Sequence, residues 1–491
     1  MLAAFSAATI VIIFDFRHES ELEFLNSLLT RTHPSVAHMV LLYGRRRVGK
    51  TLLVRHWAET TGLPTIYFAA EQEPAGIHRR KLYAKMLNAQ MTQAPTFEAW
   101  ADLWNAFVPL LRDQRMILIL DEVTHAAESD SAFLSALQHA WDQHFKSSKI
   151  IIILSGSHVH TMETLLAQGS PLFGRFTGQL HLEPLEFHNL RLFVPNWTAD
   201  ERIGLYAVIG GVPAYLEWIN ARLSLSKNLR QVFLDPKSPF AGEPDTLLHD
   251  VLSEPRMHRG ILTAIGLGAH TLDEISNGSL IGKTHLPAYL QRLQELRFVE
   301  RRLPVTVPPA KRLKSRQGRY HLAAPFLRFY FRFIASDRAE IGFNPEIAVN
   351  TIHEHMRAFV GATAFEELCR TWVLRASIAK RLPFQIQDVG SHWSRHVQID
   401  VVGINWSKKE ILAGECKWGS DAVAREVIEE LLSVKLPRLL RDLPEEGTGW
   451  KVYTIAFSRA GFTPAAQELA RTAKMILVDL AQLDRDLSKA E

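Results

Sequence analysis

The chain has 491 residues, of which 47% are hydrophobic, 9% aromatic and 22% charged. At about 150 residues per domain, this length predicts roughly three domains, and the composition excludes long disordered regions, collagen and coiled-coil rods. The 56 Lys and Arg residues against 52 Asp and Glu give a formal net charge of +4, which is too small to indicate a nucleic-acid partner by itself.

The number of cysteines and the length of the apolar runs indicate the cellular compartment. The chain has two cysteines, Cys369 and Cys416, which excludes a disulfide framework and favours a reducing, cytoplasmic location. We interpret both as core residues, Cys369 on a helix and Cys416 on a strand. No apolar run reaches the roughly 18 residues that span a bilayer, so we expect no membrane association. The apolar start, residues 1–14, fits either a buried first strand or extra residues from an upstream start codon, because it lacks a basic flank.

Short apolar runs alternate with amphipathic stretches up to about residue 195. Continuous runs of this kind are typical of parallel strands buried on both faces, so we predict an α/β domain built on a parallel sheet over residues 1–195. The predicted strands are residues 38–44, 65–70, 115–122, 149–156 and 178–184. Short helical pieces follow over residues 196–250, and we interpret them as a helical lid.

Two further domains are predicted after the lid. Residues 257–302 indicate three short helices followed by a hairpin, and the three prolines of 303–310 favour a loop, so we predict a separate domain of helices and a hairpin over 251–340. From residue 341 to 491 the chain is again α/β, with a predicted helix at 363–376 and predicted strands at 396–405 and 410–418.

The first motif lies directly after the strand at 38–44 and before a helical pattern. It fits the phosphate-loop pattern G-x-x-x-x-G-K-[ST] without a mismatch. Its glycines let backbone N–H groups approach phosphate oxygens, its lysine reaches the β- and γ-phosphates, and its threonine hydroxyl can bind Mg²⁺. The predicted ATP-binding residues are Gly44, Arg45, Arg46, Arg47, Val48, Gly49, Lys50 and Thr51.

Two carboxylates end the strand at 115–122. We expect Asp121 to hold Mg²⁺ and Glu122 to polarise the attacking water as the general base, because the pair follows a complete phosphate loop. After the next strand, Ser155 or Ser157 could sense the γ-phosphate, although a strand-to-helix turn with a Ser cap explains either residue equally well. Arg175 fits an arginine finger, acting in cis or from a neighbouring copy in a nucleotide-dependent homo-oligomer, or alternatively a surface ion pair.

These motifs together resemble the archaeal and bacterial AAA-type ATPases of the STAND class. The resemblance rests on GRRRVGKT, LILDE, ILSGS, SPLFGR and Gly210–Pro213. It implies that Gly211 and Pro213, in the helical lid, contact the adenine of ATP. The family's F-x-x-R-E-x-E-L segment is matched here only by residues 14–22, where His18 stands in place of Arg.

The region after the lid is similar to the winged helix of the same ATPases. The strands of its hairpin and the loop between them carry eight cations, and the start of the predicted recognition helix carries Lys283 and His285. Such a surface fits DNA phosphates, or else it is a solvated basic hairpin that couples the ATPase to its output. The eight cations are Arg297, Arg301, Arg302, Lys311, Arg312, Lys314, Arg316 and Arg319.

A second metal site is predicted near the C-terminus. Asp400 on one strand and Glu415 with Lys417 on the next fit the pattern D-x(n)-[DE]-x-K, and strand period two places Glu415 and Lys417 on one face. The carboxylates can hold Mg²⁺, Lys417 can stabilise charge on phosphate, and Glu366 on the preceding helix could be a further ligand. This arrangement looks like a PD-(D/E)xK restriction-endonuclease-like domain.

The first functional hypothesis is therefore an ATP-driven molecular switch that couples nucleotide state to the winged helix and the nuclease-like domain, on or near DNA. Two alternatives stay open at this stage. One is a DNA-binding regulator that ATP gates with little hydrolysis, and the other is an ATP-regulated, Mg²⁺-dependent nuclease.

Overall fold

A computed structural model describes residues 19–30, 37–111, 115–249, 252 and 254–489. The predicted first strand and residues 14–18 of the N-terminal segment lie outside this part of the chain. The chain divides into two compact units, Met1–Leu185 with Val212–Glu217 and Glu186–Gly211 with Trp218–Glu491. The finer division into four domains stays a prediction.

The first unit is built on a five-stranded parallel sheet in the order β2-β3-β4-β1-β5. The predicted parallel α/β core is confirmed. Because β4 lies between β3 and β1, the residues that follow these three strands meet at one edge of the sheet. The strands are β1 His38–Tyr43, β2 Thr65–Ala69, β3 Met116–Asp121, β4 Ile150–Gly156 and β5 Gly178–His181.

Helices cover both faces of this sheet, which explains why the strand sequences are apolar without alternation. Along β1, Met39 and Leu41 join one hydrophobic core, and Val40 and Leu42 join the other with Trp57. The helices of this unit are Glu19–Thr30, Lys50–Thr61, Ala75–Met86, Trp100–Phe107, Val123–Ser129, Ala132–Gln143, Val159–Thr164 and Pro213–Leu216.

The second unit begins with a helical region that includes one antiparallel strand pair, β6 Val299–Arg302 with β7 Arg319–Leu322. Three helices precede this pair in the order expected of a winged helix, and that classification stays a prediction. The helices of this region are Leu190–Phe193, Ala199–Ile209, Leu225–Asn228, Pro239–His249, Pro255–Gly266, Leu272–Ser279, Leu286–Glu295, Pro325–Phe333, Arg338–Phe343 and Pro345–Val360.

A separate C-terminal sheet completes the second unit in the order β12-β11-β10-β9-β8. Strand β9 runs antiparallel to both neighbours, whereas β10, β11 and β12 are parallel. The predicted C-terminal α/β domain is confirmed, and its nuclease-like classification stays a prediction. The strands are β8 Asp388–Trp393, β9 Gln398–Asn405, β10 Glu410–Lys417, β11 Lys451–Ser458 and β12 Ile476–Asp479, and the helices are Glu366–Ile378, Arg425–Glu430, Leu436–Arg441, Pro464–Thr472 and Leu480–Leu487.

Two of the expectations from composition can be checked in the described residues. Cys369 is fully buried in the helix Glu366–Ile378, and Cys416 is half-buried and packs against the same core. Among the helices described, none is long and apolar enough to cross a membrane.

Candidate functional site

The phosphate loop joins β1 to the helix Lys50–Thr61. A Cβ atom on residue 44 would stand 2.2 Å from the carbonyl oxygen of Leu182, so only glycine fits the start of the loop. Gly49 has φ 102°, a left-handed conformation that glycine adopts without strain, and the helix begins at the next residue. The loop therefore directs the helix N-terminus, with its free N–H groups, into the space that the loop encloses.

Lys50 lies within this loop, and 5% of its surface is exposed. Its ammonium donates to the carbonyl oxygens of Gly44, at 2.9 Å, and Arg45, at 3.0 Å, and to Ser157 Oγ at 2.8 Å. Burial lowers the pKa of the Lys50 ammonium, and the Glu122 and Asp121 carboxylates oppose that shift. The ammonium is thus held where the loop would place the phosphates of a nucleotide.

Asp121 ends β3 beside the start of the same helix. Its Oδ2 accepts hydrogen bonds from Thr51 Oγ1, at 2.6 Å, and from the Tyr67 hydroxyl, at 2.8 Å. A hydroxyl and a carboxylate this close supply the oxygen ligands that Mg²⁺ prefers. The donor set therefore fits the divalent cation that accompanies a nucleoside triphosphate.

Glu122 and Ser157 form the third part of the site. The Ser157 backbone N–H donates to Glu122 Oε2 at 3.0 Å, and the Ser157 hydroxyl donates to Glu122 Oε1. Glu122 has φ 49°, which is uncommon for a residue with a side chain and is typical of functional sites. Ser155 is fully buried, and its Oγ has no hydrogen-bond partner among the described residues. Of the two serines that the sequence left open, Ser157 is the one in contact with Lys50 and Glu122.

Two further residues predicted for the nucleotide, Arg175 and Pro213, also lie in the first unit. Arg175 forms the surface ion pair that was its alternative interpretation, with Nη2 2.7 Å from Asp142 Oδ2, and its Nη1 donates to the Pro171 carbonyl oxygen at 2.9 Å. Pro213 begins a short helix of the first unit whose Tyr215 ring lies 5.7 Å below the Arg47 guanidinium. The predicted roles of Arg175, Gly211 and Pro213 stay predictions.

The C-terminal sheet carries a second polar cluster around Glu415. Its Oε2 accepts hydrogen bonds from Lys417 Nζ, at 2.9 Å, and lies 2.8 Å from Lys435 Nζ. Its Oε1 is buried without a hydrogen-bond partner among the described residues. A buried oxygen without a donor is costly, so this atom fits a site that a cation completes.

Asp400 and Glu366 lie beside this cluster. Asp400 Oδ2 accepts from the Cys416 backbone N–H at 3.0 Å, and Arg370 Nη1 lies 3.3 Å from Glu366 Oε2 and 2.9 Å from the Asp400 carbonyl oxygen. Burial and the Asp400 charge raise the pKa of Glu366 to about 7. Burial, with Glu415, also raises the pKa of Asp400. Over the described ranges, no three His, Cys, Asp or Glu side chains are grouped to hold a metal, so the predicted three-carboxylate set is not assembled here.

Several cations of the predicted basic wing contact acidic or aromatic partners. Arg302 pairs with Glu300 and Glu367, the Arg312 guanidinium lies 2.8 Å from Asp388, and Arg319 stacks on Trp393 at 5.0 Å. Lys283, near the predicted recognition helix, lies 2.5 Å from Asp273. Exposed residues at the tip of the predicted wing include Lys311, Leu313, Lys314 and Arg316.

The loop between β6 and β7 is also fixed to the C-terminal sheet. The Val305 N–H donates to the Ser391 carbonyl oxygen at 2.9 Å. Next to it, Thr306 Oγ1 lies 2.7 Å from His392 Nδ1, and His392 Nε2 lies 3.0 Å from Asp442 Oδ2. Burial lowers the pKa of His392, so the neutral ring bridges the hydroxyl and the carboxylate. We call this chain of contacts the wing latch.

Besides Arg370, the residues that contact the predicted sites and that sequence motifs missed include Tyr67 and Lys435. Tyr67 on β2 contacts Asp121, and Lys435 precedes the helix Leu436–Arg441 and contacts Glu415. Neither belongs to a motif with fixed spacing. The aromatic residue in the second strand of a predicted parallel sheet was the only available signal for Tyr67.

The comparisons with known proteins match two parts of the chain. Residues 16–219 match a family described as an ATPase domain predominantly from Archaea, and residues 330–428 match archaeal and bacterial proteins of unknown function. The chain is 32% identical over 403 residues to an uncharacterized protein of Methanocaldococcus jannaschii, covering 82% of this chain and 86% of that protein.

Solved structures give a partial similarity. A Walker-type ATPase of Pyrococcus abyssi is 20% identical, with a TM-score of 0.47 over 65% of this chain and 96% of that one. The ORC2 protein of Aeropyrum pernix is 16% identical, with a TM-score of 0.45 over 69% of this chain and 95% of that one.

Proposed function

The chain belongs to the archaeal-type ATPase family, and on that premise we propose that it is an ATP-driven switch of the AAA and STAND type. The observation that carries this proposal is the connected set Lys50, Ser157 and Glu122 beside Thr51 and Asp121. A phosphate-binding ammonium, a pair of cation ligands and a candidate base lie at one edge of one sheet. This is the complete set of groups that hydrolysis of a nucleoside triphosphate requires.

The residues divide the chemistry among them. Lys50 and the N–H groups of the loop bind the β- and γ-phosphates and stabilise the charge that develops on them. Thr51 and Asp121 would hold Mg²⁺, which neutralises phosphate charge when it is bound. Glu122 takes a proton from the attacking water, and Ser157 orients that carboxylate through its N–H and hydroxyl.

The assignment is tested with Lys50→Ala and binding of a fluorescent ATP analogue. We expect affinity to fall about 10- to 100-fold, because a hydrogen bond with a charged group contributes about 1.5–3 kcal/mol. Lys146→Ala, an exposed lysine of the same unit, is the matched control and should bind like the wild type. Equal affinity in Lys50→Ala and the control would exclude this nucleotide site. Binding without turnover would instead favour the ATP-gated regulator.

We propose that the second unit is the output of the switch and that it acts on DNA. The support is the set of exposed cations at the wing tip, Lys311, Lys314 and Arg316, which fits the phosphate backbone. A triple Ala substitution of these residues should weaken DNA binding and reduce its dependence on salt concentration. A salt dependence equal to that of the wild type would show that DNA does not contact these three residues.

A second candidate function, a Mg²⁺-dependent nuclease, is favoured by the buried Glu415 Oε1 that lacks a hydrogen-bond donor. Asp400 and Glu415 would hold the cation, and Lys417 would stabilise charge on the phosphate. An open cleft of about 460 Å³ is lined by Arg302, Glu367 and Arg370, and of these Arg370 donates to the Asp400 carbonyl oxygen.

Plasmid cleavage with Mg²⁺ or Mn²⁺ tests this candidate. Asp400→Ala and Lys417→Ala should each abolish cleavage, whereas Lys409→Ala, a lysine on the turn between β9 and β10, should keep it. Cleavage that persists in both site variants would come from a contaminant. The nuclease assignment would then fail, while the ATPase assignment would stand.

A further inference from the structure

Tyr67 lies on β2, the edge strand next to β3. In the register of the two strands, Tyr67 is opposite Ile119 and Ala69 is opposite Asp121. Side chains of alternate residues share a face, so Asp121 lies on the same face as Ile119 and Ile117, the face that the helix Lys50–Thr61 covers. The Tyr67 side chain packs against this core and reaches the carboxyl end of the neighbouring strand.

The Asp121 carboxylate is held from several sides. Oδ2 accepts the hydroxyls of Thr51 and Tyr67, and Oδ1 accepts the Glu122 backbone N–H at 3.1 Å. Asp121 is 3% exposed, so water does little to orient it. Thr51 is itself a predicted cation ligand, which leaves Tyr67 as the hydroxyl whose contact serves only to orient Asp121.

The Tyr67 ring is fixed in turn by its surroundings. The Arg55 guanidinium lies over the ring, 5.4 Å from its centre, and the ring is half-buried. The Tyr67 hydroxyl donates its hydrogen bond to the carboxylate that ends the neighbouring strand, at 2.8 Å from Asp121 Oδ2. A rigid donor to a metal-binding carboxylate sets the carboxylate's orientation and its affinity for the cation.

We propose that Tyr67 is a positioning residue that holds Asp121 for the divalent cation of the nucleotide, an inference that rests on the proposed ATPase function. The hydroxyl keeps Oδ2 in place so that the cation binds to a preformed carboxylate. Loss of the hydroxyl leaves the phosphate loop intact and weakens only the cation-dependent part of nucleotide binding.

The test is Tyr67→Phe, which removes the hydroxyl and keeps the ring. Binding of a fluorescent ATP analogue is titrated with Mg²⁺ and repeated in EDTA. We expect the Mg²⁺ concentration at half-saturation to rise about tenfold, as is typical when a partner of a metal ligand is removed. Affinity in EDTA should stay that of the wild type, because Lys50 and the loop are unchanged.

Tyr83→Phe is the matched control, since Tyr83 is a half-buried tyrosine of the same unit that packs on Phe97. Thermal unfolding without nucleotide checks that each variant folds, and Tyr67→Met replaces Tyr67→Phe if the latter does not. An unchanged Mg²⁺ midpoint, or an equal loss of affinity with and without Mg²⁺, would overturn the proposal.

A double variant separates this proposal from the proposed function. In an Asp121→Asn background, Tyr67→Phe should cause no further change in the Mg²⁺ midpoint, because Tyr67 acts through Asp121. A further tenfold change in that background would overturn the positioning role. Absence of Mg²⁺-dependent nucleotide binding in the wild type would instead contradict the proposed function itself.

Discussion

Both units bring carboxylates and a lysine together beside a sheet, but different groups surround the carboxylates. In the first unit, neutral hydroxyls from Thr51 and Tyr67 hold Asp121, and Lys50 is bonded to loop carbonyls and Ser157. In the second unit, two ammonium groups surround Glu415, from Lys417 and Lys435.

This difference indicates which site is preformed. Hydroxyl donors leave the carboxylate its charge, and Lys50 stays available to an incoming phosphate. An ion pair instead neutralises the carboxylate, so a cation at Glu415 Oε1 would meet repulsion from the ammonium groups of Lys417 and Lys435 on Oε2. The first cluster is thus organised for its ligand before binding, while the second needs rearrangement. The four predictions below test this contrast.

The largest expected effect belongs to the base of the first site. Glu122→Gln should reduce ATP turnover by about 100-fold or more, because the amide cannot take a proton, while nucleotide binding is retained. Steady-state phosphate release and equilibrium binding measure the two quantities. Glu128→Gln, an exposed glutamate on the next helix, should behave like the wild type. Normal turnover in Glu122→Gln would exclude Glu122 as the base.

The ion cluster of the second unit should matter for stability. Glu415→Ala leaves Lys417 and Lys435 without their shared partner and should lower the free energy of unfolding by about 2–3 kcal/mol. Glu445→Ala removes an exposed partner of Lys409 and should lower the free energy of unfolding much less. Urea unfolding measures both. Equal effects would show that burial of Glu415 contributes nothing.

The pH dependence of the free energy of unfolding should reveal the raised pKa of Glu366 in the second cluster. The pKa of Glu366 is raised to about 7 in the folded chain, against about 4.3 when unfolded. Between these pH values the folded state therefore binds more protons than the unfolded state. The stability that the raised pKa of Glu366 contributes is complete below about pH 4.3 and is lost as the pH rises through 7.

Glu366→Gln removes that dependence. The variant should gain stability relative to the wild type as the pH rises from 4.5 to 7, by at most about 1.4 kcal/mol per pH unit. Urea unfolding at several pH values measures this difference, with the exposed Glu354→Gln as control. A difference that is constant with pH would show that Glu366 titrates normally.

The smallest effect is expected at the wing latch. Thr306→Val removes one hydrogen bond to His392 and should cost about 1 kcal/mol. Released from the sheet, the loop should be cleaved faster by trypsin at residues 311–316, whereas Thr472→Val, on an exposed helix face, should leave the rate unchanged. Equal cleavage rates would mean that the latch does not hold the wing.

Local patterns were sufficient to predict the first site's main residues. The glycines, Lys50 and Thr51 follow one another in the chain, and Asp121 and Glu122 end an unbroken apolar strand, so motif spacing was enough to select them. In the structure, Thr51 lies within hydrogen-bond distance of Asp121. The choice between Ser155 and Ser157 could not be made from sequence, because it depends on where β4 ends: Ser155 lies within the strand and is fully buried, whereas Ser157 follows the strand.

The mild net charge of +4 and its concentration in the wing were also readable in the sequence. Only the tertiary structure decided which of these cations have an acidic or aromatic partner. Arg302, Arg312 and Arg319 are matched by Glu367, Asp388 and the Trp393 ring, partners that lie on other strands and helices.

The sequence by itself therefore determined the parallel α/β core, the C-terminal α/β domain and the residues of the phosphate loop. The tertiary structure decided the contacts between residues far apart in the chain: Tyr67 with Asp121, Lys435 with Glu415, and the latch from Thr306 to Asp442. The physical reason is that hydrophobic periodicity and motif spacing report each segment's own geometry. Side-chain partners are instead set by strand order and register.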